Sequence, residues 1–167
     1  MNSSEATLLH RGLTGETVLS PDLKYRYCLW RRWGDSNGSY ALFVGLNPST
    51  ADATIDDPTI RRCKGFSQKW GLTALCMVNL FAFRSTDPNK LYQVQDPVGP
   101  LNDRFIITLA KGAGRVVAAW GTRGTFMQRD QAVTAMLNSV TCLGRTKDGC
   151  PKHPLYVPYA TKLTRYA

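Results

Sequence analysis

The order of apolar and polar positions along the chain predicts strands that alternate with helices. Residues 24–33 alternate aromatic or apolar side chains with basic ones, which is the period-two pattern of a half-exposed strand. The turn-forming residues 34–38 and the apolar residues 39–46 follow, and together they predict a hairpin. Further buried strands are predicted at residues 74–81, 115–121 and 140–144.

Three helices are predicted between or after these strands. Asp57 is a typical N-cap and Pro58 a typical first-turn residue, and apolar positions then recur at helical spacing until Gly71. Residues 100–114 predict a second helix closed by glycines, and residues 125–139 predict a third. The inner face of the third helix comprises Phe126, Val133, Met136 and Leu137.

This alternation predicts an α/β fold in one domain. We expect a three-layer α/β/α sandwich with a central, mostly parallel four-stranded sheet plus an antiparallel edge strand or hairpin. Residues 1–22 are polar and mixed, and we expect them to form a loose or edge-packed lead-in to a single domain at 23–167. The segment 145–167 is rich in Gly, Pro and Lys and predicts loop.

The charge balance favours a polyanionic partner. Lys and Arg number 21 against 12 Asp and Glu, which gives a net charge of +9. Nucleic acid is the first such partner to consider, although a basic protein need not bind any. The five cysteines form no C-x-x-C pair and most lie in apolar segments, which predicts buried thiols in a reducing cytoplasm. No segment has the length of a membrane span or the pattern of an export signal, so we expect a cytoplasmic protein without a membrane partner.

Polar residues follow each predicted core strand at its carboxyl end. They are Asn47, Asn79, the Trp120-Gly121 pair and, further along, His153. Because the carboxyl ends of parallel strands meet at one edge of a sheet, these side chains are expected to form a site there.

This set of strand ends resembles the uracil-DNA glycosylase superfamily over roughly residues 40–156. The matching motifs are GLNPS, the Asn of VNLFAF, VVAAWG and HPLY, in that order, and the first resembles the Gly-x-Asn-Pro branch of mismatch-type enzymes. More locally, GLNPSTADATIDDPT, NLFAFRSTDP, DPVGPLND and TKDGCPKHPLYVP resemble a bacterial and phage family known only as a domain of unknown function.

The superfamily resemblance implies a reaction in which water displaces a base from deoxyribose. Asn47 would position the water, and Asp52 would act as helper base because an amide cannot take a proton at neutral pH. Asp56 and Asp57 are the neighbouring carboxylates. In the structural alternative, Asn47 only forms an Asn-Pro turn and Asp57 only caps a helix.

The same resemblance implies how the base is held and extruded. His153 would donate a hydrogen bond to the leaving base, Asn79 would pair with the base edge, and Leu155 or Tyr156 would act as a wedge in the base stack. Alternatively, His153 is a surface residue and Asn79 caps a strand end. Phe66, or the pair Phe81 and Phe83, could stack on the base, although such residues are more often core.

Strict uracil enzymes of this superfamily have a tyrosine after the Asp-Pro turn that excludes substituents at C5 of the pyrimidine, whereas this chain has Ser49 and Thr50. Because both side chains are small, the resemblance implies a substrate with a bulky C5 group, such as hydroxymethylcytosine or its glucosylated form, bases typical of phage DNA. The basic residues expected to contact DNA phosphates are Lys147, Lys152, Arg84 and Arg123, with Arg61, Arg62 and Lys64 as further candidates.

These features together predict a monofunctional DNA glycosylase that leaves an abasic site in double- or single-stranded DNA and serves in DNA repair or antiviral defence. We expect no cofactor, no metal and no obligate protein partner. Alternatives are a magnesium-dependent phosphate enzyme built on the aspartates, a Schiff base at Lys147 or Lys152, a non-catalytic reader of modified DNA, and a hydrolase or transferase of free nucleotides.

Overall fold

A computed structural model describes residues 1–49 and 54–167. Its strands are β1 (Val18–Leu19), β2 (Arg26–Arg32), β3 (Tyr40–Gly45), β4 (Ala74–Asn79), β5 (Arg115–Ala118), β6 (Thr141–Cys142) and β7 (Thr164–Arg165). Its α-helices are α1 (Ser3–Leu13), α2 (Pro58–Lys69), α3 (Asn102–Gly112) and α4 (Arg129–Ala135). Short 3-10 helices span Pro88–Tyr92, Thr122–Gln128 and Pro154–Tyr156.

Within the described residues the seven strands form one sheet in the order β1-β2-β4-β3-β5-β6-β7. The four central strands β4, β3, β5 and β6 run parallel, whereas β2 is antiparallel to β4 and β7 is antiparallel to β6. The predicted α/β fold, with a parallel four-stranded centre and an antiparallel edge strand, is confirmed, and β7 adds a second antiparallel edge. The parallel order brings the carboxyl ends of the four central strands to one edge.

The predicted hairpin between β2 and β3 is wrong, because β4 lies between these two strands. All six residues of β4 are buried, so this strand needs a pairing partner on both edges. Thr73 fills the gap between the two ends of the turn, where its carbonyl accepts from Trp33 N and its own N donates to Ser39 O.

Two apolar clusters cover the two faces of the sheet. On one face, Leu42 and Val44 of β3 pack with Phe105 and Leu109 of α3. On the other, Phe43 packs with residues of α2. The α2 members of that cluster are Ile60, Cys63 and Phe66. This alternation along β3 is what a strand buried on both faces requires, and it gives the three layers.

The helix termini agree with the sequence signals in one case and differ in another. At α2, Asp57 Oδ1 accepts from Ile60 N at 2.8 Å and Pro58 is the first residue, as predicted. The predicted helix over residues 125–139 is instead interrupted, since Phe126 is non-helical and Met127 and Gln128 have positive φ. The break turns Phe126 towards Phe81 and Tyr92.

The N-terminal segment forms α1 and β1. Asn2 caps α1 in a reciprocal pair of hydrogen bonds with Glu5, and the carbonyl of Gly12 accepts from Trp30 Nε1 on β2 at 2.9 Å. β1 pairs antiparallel with β2, so this segment is attached to the edge of the sheet.

A β-bulge interrupts β2 where it meets β1. Val18 pairs with Cys28 and the next residue, Leu19, pairs with Arg26, so Tyr27 is the extra residue. Tyr27 and Cys28 consequently belong to the same apolar cluster, although adjacent strand residues normally face opposite sides. The bulge reverses the alternation and directs Arg26 to the α2 face of the sheet.

The five cysteines are buried and unpaired, in agreement with their apolar surroundings in the sequence. None of the helices in the described part of the chain is both long enough and apolar enough to cross a bilayer.

Candidate functional site

A cavity of about 260 Å³ lies at the carboxyl edge of the parallel strands. The predicted residues Asn47, Ser49, Asn79 and His153 all line it, so the structure brings these four together. The other residues that line it are Arg26, Gly45, Leu46, Asp57, Thr59, Ile60, Met77, Ser85, Thr86, Pro88, Ala119 and Trp120. The volume is just below the usual range for ligand pockets and suits one small ring.

Asn47 is held in one orientation by the loop that follows β4. Its Nδ2 donates to the carbonyl of Ser85 at 2.9 Å and to that of Pro48 at 3.2 Å. Two carbonyl acceptors fix which end of the amide is the nitrogen. No group of residues 1–49 or 54–167 donates to the Oδ1 of Asn47, which is therefore the acceptor that this side chain offers in the cavity.

Asn79 ends β4 and lies beside Gly45, its pairing partner on β3. A Cβ at position 45 would lie only 2.7 Å from Asn79 Oδ1, so the glycine at this position leaves room for the side-chain amide of Asn79. Asn79 is 4% exposed, and its side chain forms no hydrogen bond within the described residues. Both its donor and its acceptor are available to a ligand.

The backbone around Asn79 is fixed by two buried side chains. Asn102 Nδ2 donates to the carbonyls of Asn79 at 2.9 Å and Leu80 at 3.0 Å. Arg129 donates to the Leu80 carbonyl through Nε and Nη2, and its Nη2 also reaches Asp103 Oδ1 at 2.6 Å. These contacts tie the end of β4 to α3 and α4.

Asn102→Ala is expected to lower the free energy of unfolding by about 2–4 kcal/mol, because two hydrogen bonds to buried carbonyls are lost. Urea unfolding measures the change. Asn138→Ala is the matched control, since Asn138 is exposed, and is expected to change stability by less than about 0.5 kcal/mol. If Asn102→Ala lowers the free energy of unfolding by less than about 1 kcal/mol, Arg129 alone is enough to hold the end of β4.

His153 is fixed in one tautomer by its own loop. Its Nδ1 accepts from Leu155 N at 3.2 Å, so in the neutral ring the proton is on Nε2, which becomes a donor. Burial lowers the pKa of His153, and Asp57 nearby raises it in part. The net direction favours the neutral ring at pH 7.

Arg62 of α2 holds the His153 loop in place. It donates to the carbonyls of Pro154 and Val157, and its guanidinium lies 3.8 Å from the ring centre of Tyr159. Because Arg62 is engaged in these internal contacts, its expected contact with a DNA phosphate does not fit its position.

Arg26, which was not among the residues predicted from the sequence, lines the same cavity. It is only 6% exposed, and its guanidinium forms no hydrogen bond or ion pair within the described residues. Burial and the neighbouring Arg84 lower the pKa of Arg26 to about 10, against an opposing effect of Asp57. The signal that could have identified Arg26 is the direction of β2. Because β2 runs antiparallel to the central strands, its first residue lies at the edge where the parallel strands end.

The three aspartates near the cavity have different positions. Asp56 forms an ion pair with Arg31 at 2.5 Å. Asp57 caps α2 and lines the cavity. Asp52, predicted as helper base, lies outside the described residues. In the described ranges, no three His, Cys, Asp or Glu side chains are grouped so that they can hold a metal ion.

Phe66 is not part of the cavity, which corrects its predicted role in stacking on a base. Its side chain is fully buried between Trp70 and Tyr159 in the apolar cluster beneath α2. The helical spacing that identified α2 also places Phe66 on its inward face.

The residues predicted to contact DNA differ in exposure. Leu155 is 36% and Tyr156 82% exposed directly after His153, and Lys147 and Lys152 are exposed on the same C-terminal loop. The other two predicted contacts are engaged in the fold: Arg123 donates to Asn89 Oδ1 at 2.8 Å and Arg84 to Leu23 O at 2.8 Å.

A larger cavity, of about 360 Å³, lies at the opposite edge of the sheet near the start of β5 and β6. It is lined by residues such as Lys111, Arg115 and Asn138 and contains none of the predicted site residues. The candidate site is therefore the cavity of about 260 Å³.

A family model described as a protein of unknown function, DUF1643, matches residues 26–155. The chain belongs to the DUF1643 family. The expected membership of a family of unknown function is thereby confirmed. The DUF1643 match begins at Arg26 and ends at Leu155, so it includes every residue that lines the candidate cavity. Neither a curated protein nor a solved structure matches the chain.

Proposed function

We propose that the protein is a monofunctional DNA glycosylase that hydrolyses the N-glycosidic bond of a modified pyrimidine after base flipping. The observation that carries the proposal is the convergence of Asn47, Asn79 and His153 in one small cavity at the carboxyl edge of the sheet. These are the strand-end residues on which the resemblance to the uracil-DNA glycosylase superfamily rests.

Bond cleavage requires a water molecule on one side of the sugar, and Asn47 supports that step. Its Nδ2 is engaged with backbone carbonyls, so its Oδ1 can accept a hydrogen bond from the attacking water. An amide cannot accept the proton that the water then loses. Asp57 supplies a carboxylate in the same cavity for that proton.

Negative charge develops on the departing base, and His153 can stabilise it. A neutral imidazole with Nδ1 engaged presents Nε2–H as a fixed donor. Asn79 offers an amide donor and acceptor to the base edge, which allows it to hold a pyrimidine in position. Neither role needs a bound cofactor.

The surface next to His153 suits a nucleotide that has left the base stack. Tyr156 and Leu155 are exposed apolar side chains directly after His153, and they can fill the gap that a flipped nucleotide leaves. Lys147 and Lys152 on the same loop can bind flanking phosphates.

The proposal is tested by base release from end-labelled DNA that contains uracil, a thymine mismatch, hydroxymethylcytosine or glucosylated hydroxymethylcytosine, followed by alkaline cleavage at abasic sites. Strand cleavage at one base identifies the substrate class and supports the glycosylase. Cleavage without alkali would instead indicate a Schiff base at a lysine.

A non-catalytic reader of modified DNA is the second candidate, because position 47 is an asparagine and not a carboxylate. Salt-dependent binding to modified duplex DNA without base release would support the reader. A hydrolase or transferase of free nucleotides would show neither salt-dependent binding to DNA nor base release from it. It would instead turn over a free nucleotide.

Ser49→Tyr is expected to abolish release of bulky C5-substituted bases while uracil release falls by less than about tenfold. Ser49 lines the cavity, and a tyrosine ring there would fill the space beside C5. Competition between the two DNA substrates measures the ratio directly. Ser49→Ala is the matched control and should retain both activities. Unchanged release of the bulky base by Ser49→Tyr would contradict the assignment of a C5 pocket.

A further inference from the structure

The guanidinium of Arg26 is buried in the cavity wall without an acceptor. Arg26 is 6% exposed, its Nε is sealed from solvent, and no side-chain hydrogen bond or ion pair satisfies it within residues 1–49 and 54–167. A buried charge without a partner is costly, so folding alone would not favour an arginine at this position.

The carboxylates near Arg26 do not pair with it. Asp56 is engaged in the ion pair with Arg31 at 2.5 Å. Asp57 caps α2 through its Oδ1 and favours the charged form of Arg26, but it forms no ion pair with Arg26 within the described residues. The positive charges of Arg84 and Arg31 disfavour that charged form.

The backbone directs Arg26 towards the cavity. The bulge at Tyr27 reverses the alternation of β2, so that Tyr27 and Cys28 both enter one apolar cluster. Arg26 therefore lines the cavity on the opposite face, together with Met77 and Asn79. Bulges commonly redirect a side chain beside a functional site.

We propose that the guanidinium of Arg26 binds an oxyanion of a ligand in this cavity. The oxyanion is a carboxylate or a phosphate. A planar guanidinium forms paired hydrogen bonds with either group. The small volume limits the ligand to a compact group. The inference concerns binding, and it holds whether or not the protein breaks a glycosidic bond.

Thermal unfolding and calorimetric titration at constant ionic strength test the inference. The probes are inorganic phosphate, 5-carboxycytosine as a pyrimidine carboxylate, and cytosine as its neutral counterpart. At least one anion is expected to raise the Tm of the wild type by roughly 5–10 °C at a concentration 100-fold above its Kd. Phosphate alone would identify a phosphate ligand, and 5-carboxycytosine alone a carboxylate. An effect of cytosine equal to that of both anions would overturn the inference.

Arg26→Met is expected to remove the stabilisation by the anion and to raise the Tm of the ligand-free protein by about 2 °C or more, since an unpaired buried charge is removed. Arg26→Lys keeps the charge without the planar fork and should bind at least about tenfold more weakly. Arg104→Met, at an exposed position of α3, is the control and should bind like the wild type.

Equal anion binding by Arg26→Met and the wild type would overturn the inference. A lower Tm for ligand-free Arg26→Met would do the same, because it would show that Arg26 stabilises the fold. Loss of anion binding in Arg26→Met with base release from DNA intact would leave the proposed glycosylase standing, so the two proposals can fail separately.

Discussion

Asn47→Ala is expected to slow base release by about 10²–10³-fold, because the variant lacks the Oδ1 that is proposed to position the attacking water. The variant also loses the hydrogen bond from Nδ2 to Ser85 O, which should cost about 1 kcal/mol of stability. Single-turnover kinetics on the preferred DNA substrate measures the rate, and thermal unfolding confirms that the variant is folded.

Asn138→Ala is the matched control for Asn47→Ala, since Asn138 is exposed at the far edge of the sheet. It should release the base at the wild-type rate. A folded Asn47→Ala protein that keeps more than about a tenth of the wild-type rate would refute the water-positioning role.

Replacing His153 by alanine is expected to slow base release by about 10²-fold or more, because the donor aimed at the departing base is lost. His153→Gln can still donate a hydrogen bond through its amide and should recover part of the rate. His10→Gln is the control, since His10 is exposed on α1 and far along the chain from the cavity. Equal rates for His153→Ala and His153→Gln would argue against a donor role.

The lowered pKa of His153 also predicts the pH dependence. The decline in base release on acidification should begin at a lower pH than an ordinary histidine would give, since burial lowers the pKa of His153. The unfolded chain binds a proton at His153 more readily than the folded protein does, so protonation favours unfolding. Stability from this group is therefore present above about pH 6.5 and is lost as the pH falls towards the folded pKa. Urea unfolding at pH 7 and pH 5 should show a smaller loss for His153→Gln than for the wild type.

The central sheet could be predicted because each of its strands carries its own signal. A run of apolar residues marks β4, and Asp57-Pro58 marks the start of α2. The pairing of β2 could not be predicted from its turn, because the sequence of a turn does not show that a third strand will separate the two it joins. The break before α4 was missed because Phe126 fits the helical spacing. In the structure, however, Phe126 and Met127 are non-helical, and Phe126 packs against Phe81.

The cavity could be predicted in part because strand ends are visible in a sequence. Asn47 follows β3, Asn79 ends β4 and His153 lies beyond β6, and the parallel order of these strands brings the three together. Arg26 could not be found in this way, because it begins an antiparallel strand and its direction depends on a bulge. Phe66 is the opposite case, a predicted site residue that is not in the cavity. Its helical spacing places it on the inward face of α2, where it packs in the apolar cluster.

The bulge at Tyr27 links two parts of the chain that the family match separates. Residues 26–155 match the family, yet the strand that pairs across the bulge is β1, upstream of that range. A protein shortened to the matched residues would retain every side chain that lines the cavity. It would keep Ala82, whose carbonyl accepts from Arg26 N, and lose β1, so one of the two neighbours that hold the backbone of Arg26 lies outside the family boundary.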